Sequence, residues 1–209
     1  MDYKQRYKRV RLLVSELNKH RRMQGKKIDI LCNDFIEAQK EFIARLRTVD
    51  FAANFYQAII GKTDLNNLLD SACRLIRDEI GETNIVFFLR NGHGFESHIF
   101  ESEKISFAEE EKLENCFSPE IAEHICKSNK GCTLDEILAM GTQINLAFSN
   151  KLSACTVPLG RFEASAGFIL FYRQSKDKLT CQGLNGITAI TEGLSRAIQG
   201  CLVVSRLQD

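Results

Sequence analysis

Residues 152–159 read Leu152-Ser-Ala-Cys-Thr-Val-Pro-Leu159, and after five connecting residues the chain continues Ser165-Ala-Gly-Phe-Ile-Leu-Phe-Tyr172. Each run has strand length, and the second is apolar at both alternating sets of positions. A strand apolar on both faces is covered on both faces. Pro158 has no N–H to give a ladder, so it belongs near a strand end. Residues 160–164 are short enough to join the two runs as a hairpin. The same pattern occurs upstream. Thr83 to Arg90 sets Ile85, Phe87 and Leu89 on one face and Val86 and Phe88 on the other. Asn91-Gly92 is a strong hairpin turn, and Phe95 to Glu101 reads as a more polar return strand nearer an edge.

Helices surround these hairpins. Leu65, Leu68, Leu69, Ala72, Leu75, Ile76 and Ile80 mark one buried face, with Asp64 as the cap and Gly81 as the stop. Leu184, Ile187, Thr191, Leu194, Ile198 and Cys201 recur at helical spacing and predict a closing helix from about Gln182. Residues 102–150 are irregular and mostly helical. Ser106 with Glu109, and Thr133 with Glu136, have capping-box spacing, while Ser118-Pro119 opens a helix that Gly131 ends. Ahead of everything stands an arm. Tyr3, Tyr7, Val10, Val14 and Leu17 form a heptad seam, and a wider stripe follows at Ile28, Leu31, Phe35, Ala38, Phe42, Leu46 and Val49. Two helices joined at Gly25 and one long helix both fit. Hairpins with helices before and after predict an α+β fold, with a helical arm over 1–54 and a domain over 55–209.

Over roughly residues 55–204 this order resembles the GAF domain. The resemblance is carried by Leu152 to Leu159 ending in Val-Pro-Leu, by Ala166-Gly-Phe-Ile-Leu-Phe171 and the helix after it, by Leu65 to Gly81 before Ile85 to Leu89, and by Glu120-Ile-Ala-Glu-His-Ile-Cys126 as the insertion helix. It implies a six-stranded antiparallel profilin-like sheet and a small-molecule pocket between sheet and insertion. It also implies that the first and last helices pack together, forming a bundle across a homodimer. Members sense cyclic nucleotides, tetrapyrroles, iron or metabolites, so the fold leaves the ligand and any cofactor unassigned. The cyclic-nucleotide signature is matched at Asn150-Lys151 and Phe162 but fails at Ala166-Gly167. The Asp-Ile-Pro stretch of bilin-binding members is absent. Phe87, His98, His124, Thr156 and Phe168 are the expected pocket residues.

Chemistry beyond that pocket has few candidates. Cys116, His124, Cys126 and Cys132 lie close in sequence and carry metal- and cluster-ligating groups. Their spacing contains no Cys-x-x-Cys, and separate core thiols with a surface histidine are the plainer reading. A redox disulfide among them is a further alternative. A cysteine-dependent methionine sulfoxide reductase is the enzyme alternative to a non-catalytic sensor; the cysteines permit it without singling out a pair, and Cys126 and Cys132 are the ones to replace in testing it. Cys73, Cys155 and Cys201 sit in apolar patterns, and Cys32 on a helical face. Asn91-Gly92-His93-Gly94 lacks the Gly-Lys-Ser/Thr sequel of a phosphate loop.

The 209 residues are 44% hydrophobic and 26% charged, ordinary for a globular protein. No apolar run approaches the roughly 20 residues of a membrane span, and none with a cleavage site follows Met1, so a cytoplasmic protein is expected. The net charge of +1 hides an asymmetry. Residues 1–27 hold ten Lys and Arg against Asp2 and Glu16, a balance of +8. The remainder, 18 basic against 25 acidic, carries −7. Lys4, Arg6, Lys8, Arg9, Arg11, Lys19, Arg21 and Arg22 could meet nucleic acid or an anionic membrane, although a solvated coiled-coil face is the ordinary use of such a run. No kinase or cyclase module is legible. A sensor of this kind would pass its signal to a separate regulatory partner.

Overall fold

The computed structural model describes residues 3–92, 94–102, 113–128, 130–142, 151–160, 165–174, 178–180 and 182–208. His93, Ser106, Glu109, Asn150 and Phe162, singled out above, lie outside them, as does Cys181. The chain forms two compact units, Met1–Arg47 and Thr48–Asp209.

Helix α1 runs from Tyr3 to Ile59. It answers the question left open at Gly25, which stays helical with no side chain near it. Register explains why one helix suffices. Ile28 follows Leu17 by eleven residues, a heptad plus four, so Ile28, Leu31, Phe35, Ala38, Phe42 and Val49 continue the a and d positions of the first stripe, with Arg45 at the remaining d position and Leu46 beside it. Arg21 and Gln24 occupy the two seam positions between them. Tyr7, Val14, Ile28, Leu31, Phe35 and Phe42 are all exposed by half or more.

The second unit begins with the last turns of α1. Phe55 and Ile59 are buried against α2 (Leu65–Ile80) and the closing helix α5 (Asn185–Gln208). Asp64 caps α2 as expected, its Oδ2 accepting from the Asn67 N–H at 2.8 Å, and Gly81 ends it at φ +82°. Arg77, in the last turn of α2, donates to the Thr83 and Phe100 carbonyls and fixes the helix to the first hairpin. Gly193 of α5 lets Tyr56 lie flat against that helix. A Cβ there would stand 2.2 Å from Tyr56 Cε1, and the Tyr56 hydroxyl donates to the Ala189 carbonyl at 3.3 Å. Gly193→Ala is therefore expected to lower stability by about 1–3 kcal/mol, the usual cost of overpacking. Gly193→Ala with Tyr56→Ala should recover part of the overpacking loss in urea unfolding.

The sheet is built from β1 (Asn84–Asn91), β2 (Gly94–Phe100), β3 (Cys132–Thr133), β4 (Leu152–Leu159) and β5 (Gly167–Gln174) in the order β2-β1-β5-β4-β3, with every pairing antiparallel. The α+β class and the two hairpins stand as read. Among the described residues there are five strands where the resemblance implies six. β3 has no signature in the sequence because two residues carry no period. It places Cys132 in the sheet, opposite Thr156. The insertion contributes a 3₁₀ turn at Leu113–Cys116, α3 (Pro119–Ser128) and α4 (Leu134–Ala139). α3 starts at Pro119 as the sequence indicates, with Ser118 Oγ accepting from the Ile121 N–H. At α4, Glu136 Oε2 accepts from the Thr133 N–H at 2.7 Å and from its hydroxyl at 3.0 Å.

Strand alternation divides the core. Ile85, Phe87, Leu89, Cys155, Val157, Ile169 and Phe171 face the end of α1, α2 and α5. Val86, Phe88, Ala154, Phe168, Leu170 and Tyr172 face the insertion. Gly167 permits the tight pairing of β5 with β1 and β4, at φ +143°.

Candidate functional site

The insertion face has an aromatic end and a polar end. At the aromatic end Phe88 and Phe168 stack with centroids 4.6 Å apart at 10°, and Phe117 tilts onto both. Arg90 holds α3 over this end through Glu123 at 2.8 Å. At the polar end Tyr172 donates to Glu114 Oε2 at 2.8 Å. Burial, and then the adjacent Glu114 carboxylate, push the Tyr172 phenol well above its ordinary range. It remains a donor at any pH the fold tolerates.

Glu114 is 6% exposed, and its second oxygen, Oε1, has no partner among the described residues. Thr156 is fully buried, and its Oγ1 is likewise unpartnered. Ala154 is the cross-strand partner of Tyr172, and Thr156 is the next residue of β4 on the same face. Thr156 is thus diagonal to Tyr172, about 7–8 Å away by Cα. A buried hydroxyl without a partner costs about 1–3 kcal/mol, and a buried carboxylate several kcal/mol. Glu114 Oε1, from the insertion, and Thr156 Oγ1, on the insertion face of β4, are thus buried oxygens without a partner among the described residues.

The five expected pocket residues divide three ways. Thr156 and Phe168 lie on the insertion face. Phe87 lies on the opposite face, fully buried against the helices, and His98 pairs with it across the hairpin. His98 lines a separate cleft of about 410 Å³ with Asp64, Asn66, Glu96, Cys201 and Ser205, its Nε2 3.8 Å from Glu96 Oε1. His124 is exposed on α3. Nothing in the sequence pattern singles out Glu114 or Tyr172 for the site. Glu114 stands in an aperiodic segment, and Tyr172 reads as the end of an apolar strand.

The cysteine candidates do not converge. His124 faces solvent while Cys126 and Cys132 are buried and Cys116 is half-buried. Among the described residues no three His, Cys, Asp or Glu side chains gather closely enough to hold a metal ion. Cys132 Sγ stands 3.8 Å from Ser128 Oγ and 3.7 Å from the Lys130 carbonyl. Burial raises the thiol pKa of Cys126, against the pull of Ser165 and Arg90. It raises that of Cys116 too, with the Glu114 charge adding to it. Cys73, Cys155 and Cys201 are buried, as expected of small core residues, and Cys32 is exposed.

Sheet order, helix placement and insertion together can be compared with known proteins. No family model matches the sequence, and no curated protein matches it. Solved structures do. The GAF domain of an Acinetobacter phosphoenolpyruvate-protein phosphotransferase superposes with a TM-score of 0.52 at 14% identity, over 77% of this chain and 98% of that one. The corresponding GAF domain from Coxiella burnetii gives 0.54 at 9% identity over 77% and 98%. The photoproduct state of the domain GAF3 from a Synechocystis protein gives 0.51 at 14% identity over 70% and 100%.

The chain has a GAF fold. The GAF sheet accounts for the layer assignment: end helices on one face, insertion on the other. It also separates Phe87 and His98, on the helix face, from the insertion face where Glu114, Tyr172 and Thr156 lie. Among the described residues no helix is long and apolar enough to cross a membrane.

Proposed function

We propose that this protein is a regulatory GAF module that binds a small ligand on the insertion face, self-associates through α1, and hands its signal to a separate partner. The ligand reading rests on one observation, the pair of buried, unpartnered oxygens Glu114 Oε1 and Thr156 Oγ1. They call for a ligand with N–H donors, a protonated amine or the amino edge of a nitrogen heterocycle, small enough to lie beside Tyr172. Response follows from strand alternation. Phe88, Phe168 and Tyr172 meet the ligand side, while Phe87, Ile169 and Phe171 on the same strands touch the helix layer. A ligand that prefers one packing of the insertion shifts the helix layer by its difference in affinity, and by no more.

Self-association belongs to α1 rather than to α5. The large exposed apolar side chains concentrate between Tyr3 and Val49, whereas Glu192, Arg196 and Gln199 on the outer surface of α5 are polar. A regulatory rather than catalytic role accords with the buried Cys126, whose raised thiol pKa disfavours the thiolate that sulfoxide reduction needs.

The test exploits the conflict between stability and binding. In Glu114→Leu/Tyr172→Phe both partners become apolar, so unfolding should become harder by about 1 kcal/mol or more. Native mass spectra of the wild type should carry extra mass per chain that is absent from the denatured spectrum and from the double variant. A double variant that is less stable than the wild type and keeps the same added mass would show the pair to be structural only.

A further inference from the structure

We propose that the first segment of α1, residues 3–22, docks as an amphipathic helix on an anionic phospholipid surface. Two features of the segment carry this. Its helix turns Tyr3, Tyr7, Val10, Leu13, Val14 and Leu17 onto one broad arc, and each is exposed by half or more. Eight of the ten arm lysines and arginines lie in the same segment, where Glu16 is the one acidic residue. Lys4, Lys8, Arg11, Lys19 and Arg22 form a cationic face beside that arc, with Leu12 on the cationic side and Arg6 and Arg21 within the arc. An apolar arc beside a cationic face, on a helix of modest hydrophobicity, is the pattern of helices that lie in the bilayer interface. Tyrosine at the seam positions adds to it, because its ring is apolar and its hydroxyl polar, and such rings collect at the headgroup level.

Charge decides against a second copy as the occupant of this segment. In a parallel pair the g position of one heptad meets the e position of the next heptad on the partner helix. Here that sets Arg6 against Arg11, and places Arg21 in the seam against its own copy. Beyond Ile28 the one seam arginine, Arg45, is paired by Glu41 of its own helix at 2.6 Å, so the seam divides at Arg21 and Gln24 into a part suited to self-association and a part suited to an anion-rich surface. Nucleic acid meets the cationic face but leaves Tyr7, Val14 and Leu17 in water. A lipid interface takes both faces.

The experiment is cosedimentation of the full-length protein with vesicles of phosphatidylcholine alone and of phosphatidylcholine with phosphatidylserine. Binding is expected to the anionic vesicles and to weaken steeply with salt. Each basic residue near such a surface is worth roughly a fivefold change in partition, so Lys4→Gln/Lys8→Gln/Arg11→Gln should weaken binding on the order of a hundredfold. Tyr3→Ser/Tyr7→Ser/Leu17→Ser should abolish the binding that survives high salt. All six positions are exposed, so circular dichroism should show both variants folded. Equal binding to neutral and anionic vesicles would overturn the proposal, as would no vesicle binding. Retention of an arbitrary DNA duplex in place of vesicles would assign the cationic face to nucleic acid and overturn it as well.

Discussion

Gly167→Ala is expected to destabilise the protein by more than about 4 kcal/mol, beyond the range of ordinary substitutions. The reason is local and double. A Cβ at this position would lie 1.8 Å from the carbonyl oxygen of Phe88 and 2.9 Å from its carbon, both backbone atoms that cannot rotate aside. Gly167 also has φ +143°, where residues with a side chain are strained. The neighbouring ladder cannot yield without losing hydrogen bonds, since the Arg90 N–H donates to the Ala166 carbonyl at 2.8 Å and the Ala166 N–H to the Leu159 carbonyl at 2.9 Å. Ser165 Oγ reinforces the corner by donating within reach of the Leu159 and Gly167 carbonyls. Total stability of a domain is about 5–15 kcal/mol, so this one methyl group threatens the whole sheet. Urea unfolding is the measurement. Gly200→Ala is the control, because that glycine lies in α5 with open space around it. Alanine there should gain up to about 1 kcal/mol from helix propensity. A Gly167→Ala midpoint close to wild type would mean that β1 and β5 do not approach as described.

The sheet was readable because its strands announce both faces at once. Ile85, Phe87 and Leu89 alternate with Val86 and Phe88, and the turn and cap residues Asn91-Gly92, Asp64 and Gly81 stand where backbone geometry wants them. Alternation says which residues share a face but not which layer covers it. For that reason Phe87 and Phe168 could both be expected in one pocket, although the pairing Phe88↔Phe168 puts Phe87 on the other side. That register joins residues eighty positions apart, and no local pattern fixes it. Glu114 was illegible for a different reason. A glutamate in an irregular segment is ordinarily exposed, and only the tertiary approach to Tyr172 buries it. His124 and Cys126 are the contrary case. Two residues apart on a helix they point to different sides, and one is exposed while the other is buried.

The second large effect is expected at the seam of α1 beyond the polar break. Leu31→Asp/Phe35→Asp should turn a self-associating chain into a monomer without unfolding the GAF sheet. Leu31 is 66% exposed and Phe35 63%, so within one chain they contribute little to folding. Their value lies in what covers them. The a and d positions keep one heptad phase from Tyr3 to Val49 despite Gly25, apolar at all but Arg21, Gln24 and Arg45. A strict seven-residue repeat makes the seam follow a left-handed supercoil, which a helix gains from only when another helix lies along it. A dimer would bury four of these side chains, each worth about 1.5–3 kcal/mol. Replacing them with carboxylates should therefore raise Kd by at least about four powers of ten. Sedimentation equilibrium reads this directly, and urea unfolding of the sheet should be unmoved. Ile36→Asp/Ile43→Asp separates a seam from general stickiness, because both side chains are exposed on α1 but lie off the a and d positions. That pair should leave the dimer in place. Dissociation by both pairs alike would point to a broader bundle of helices. A wild-type chain that stays monomeric throughout the concentration range would leave α1 to a partner of another sequence.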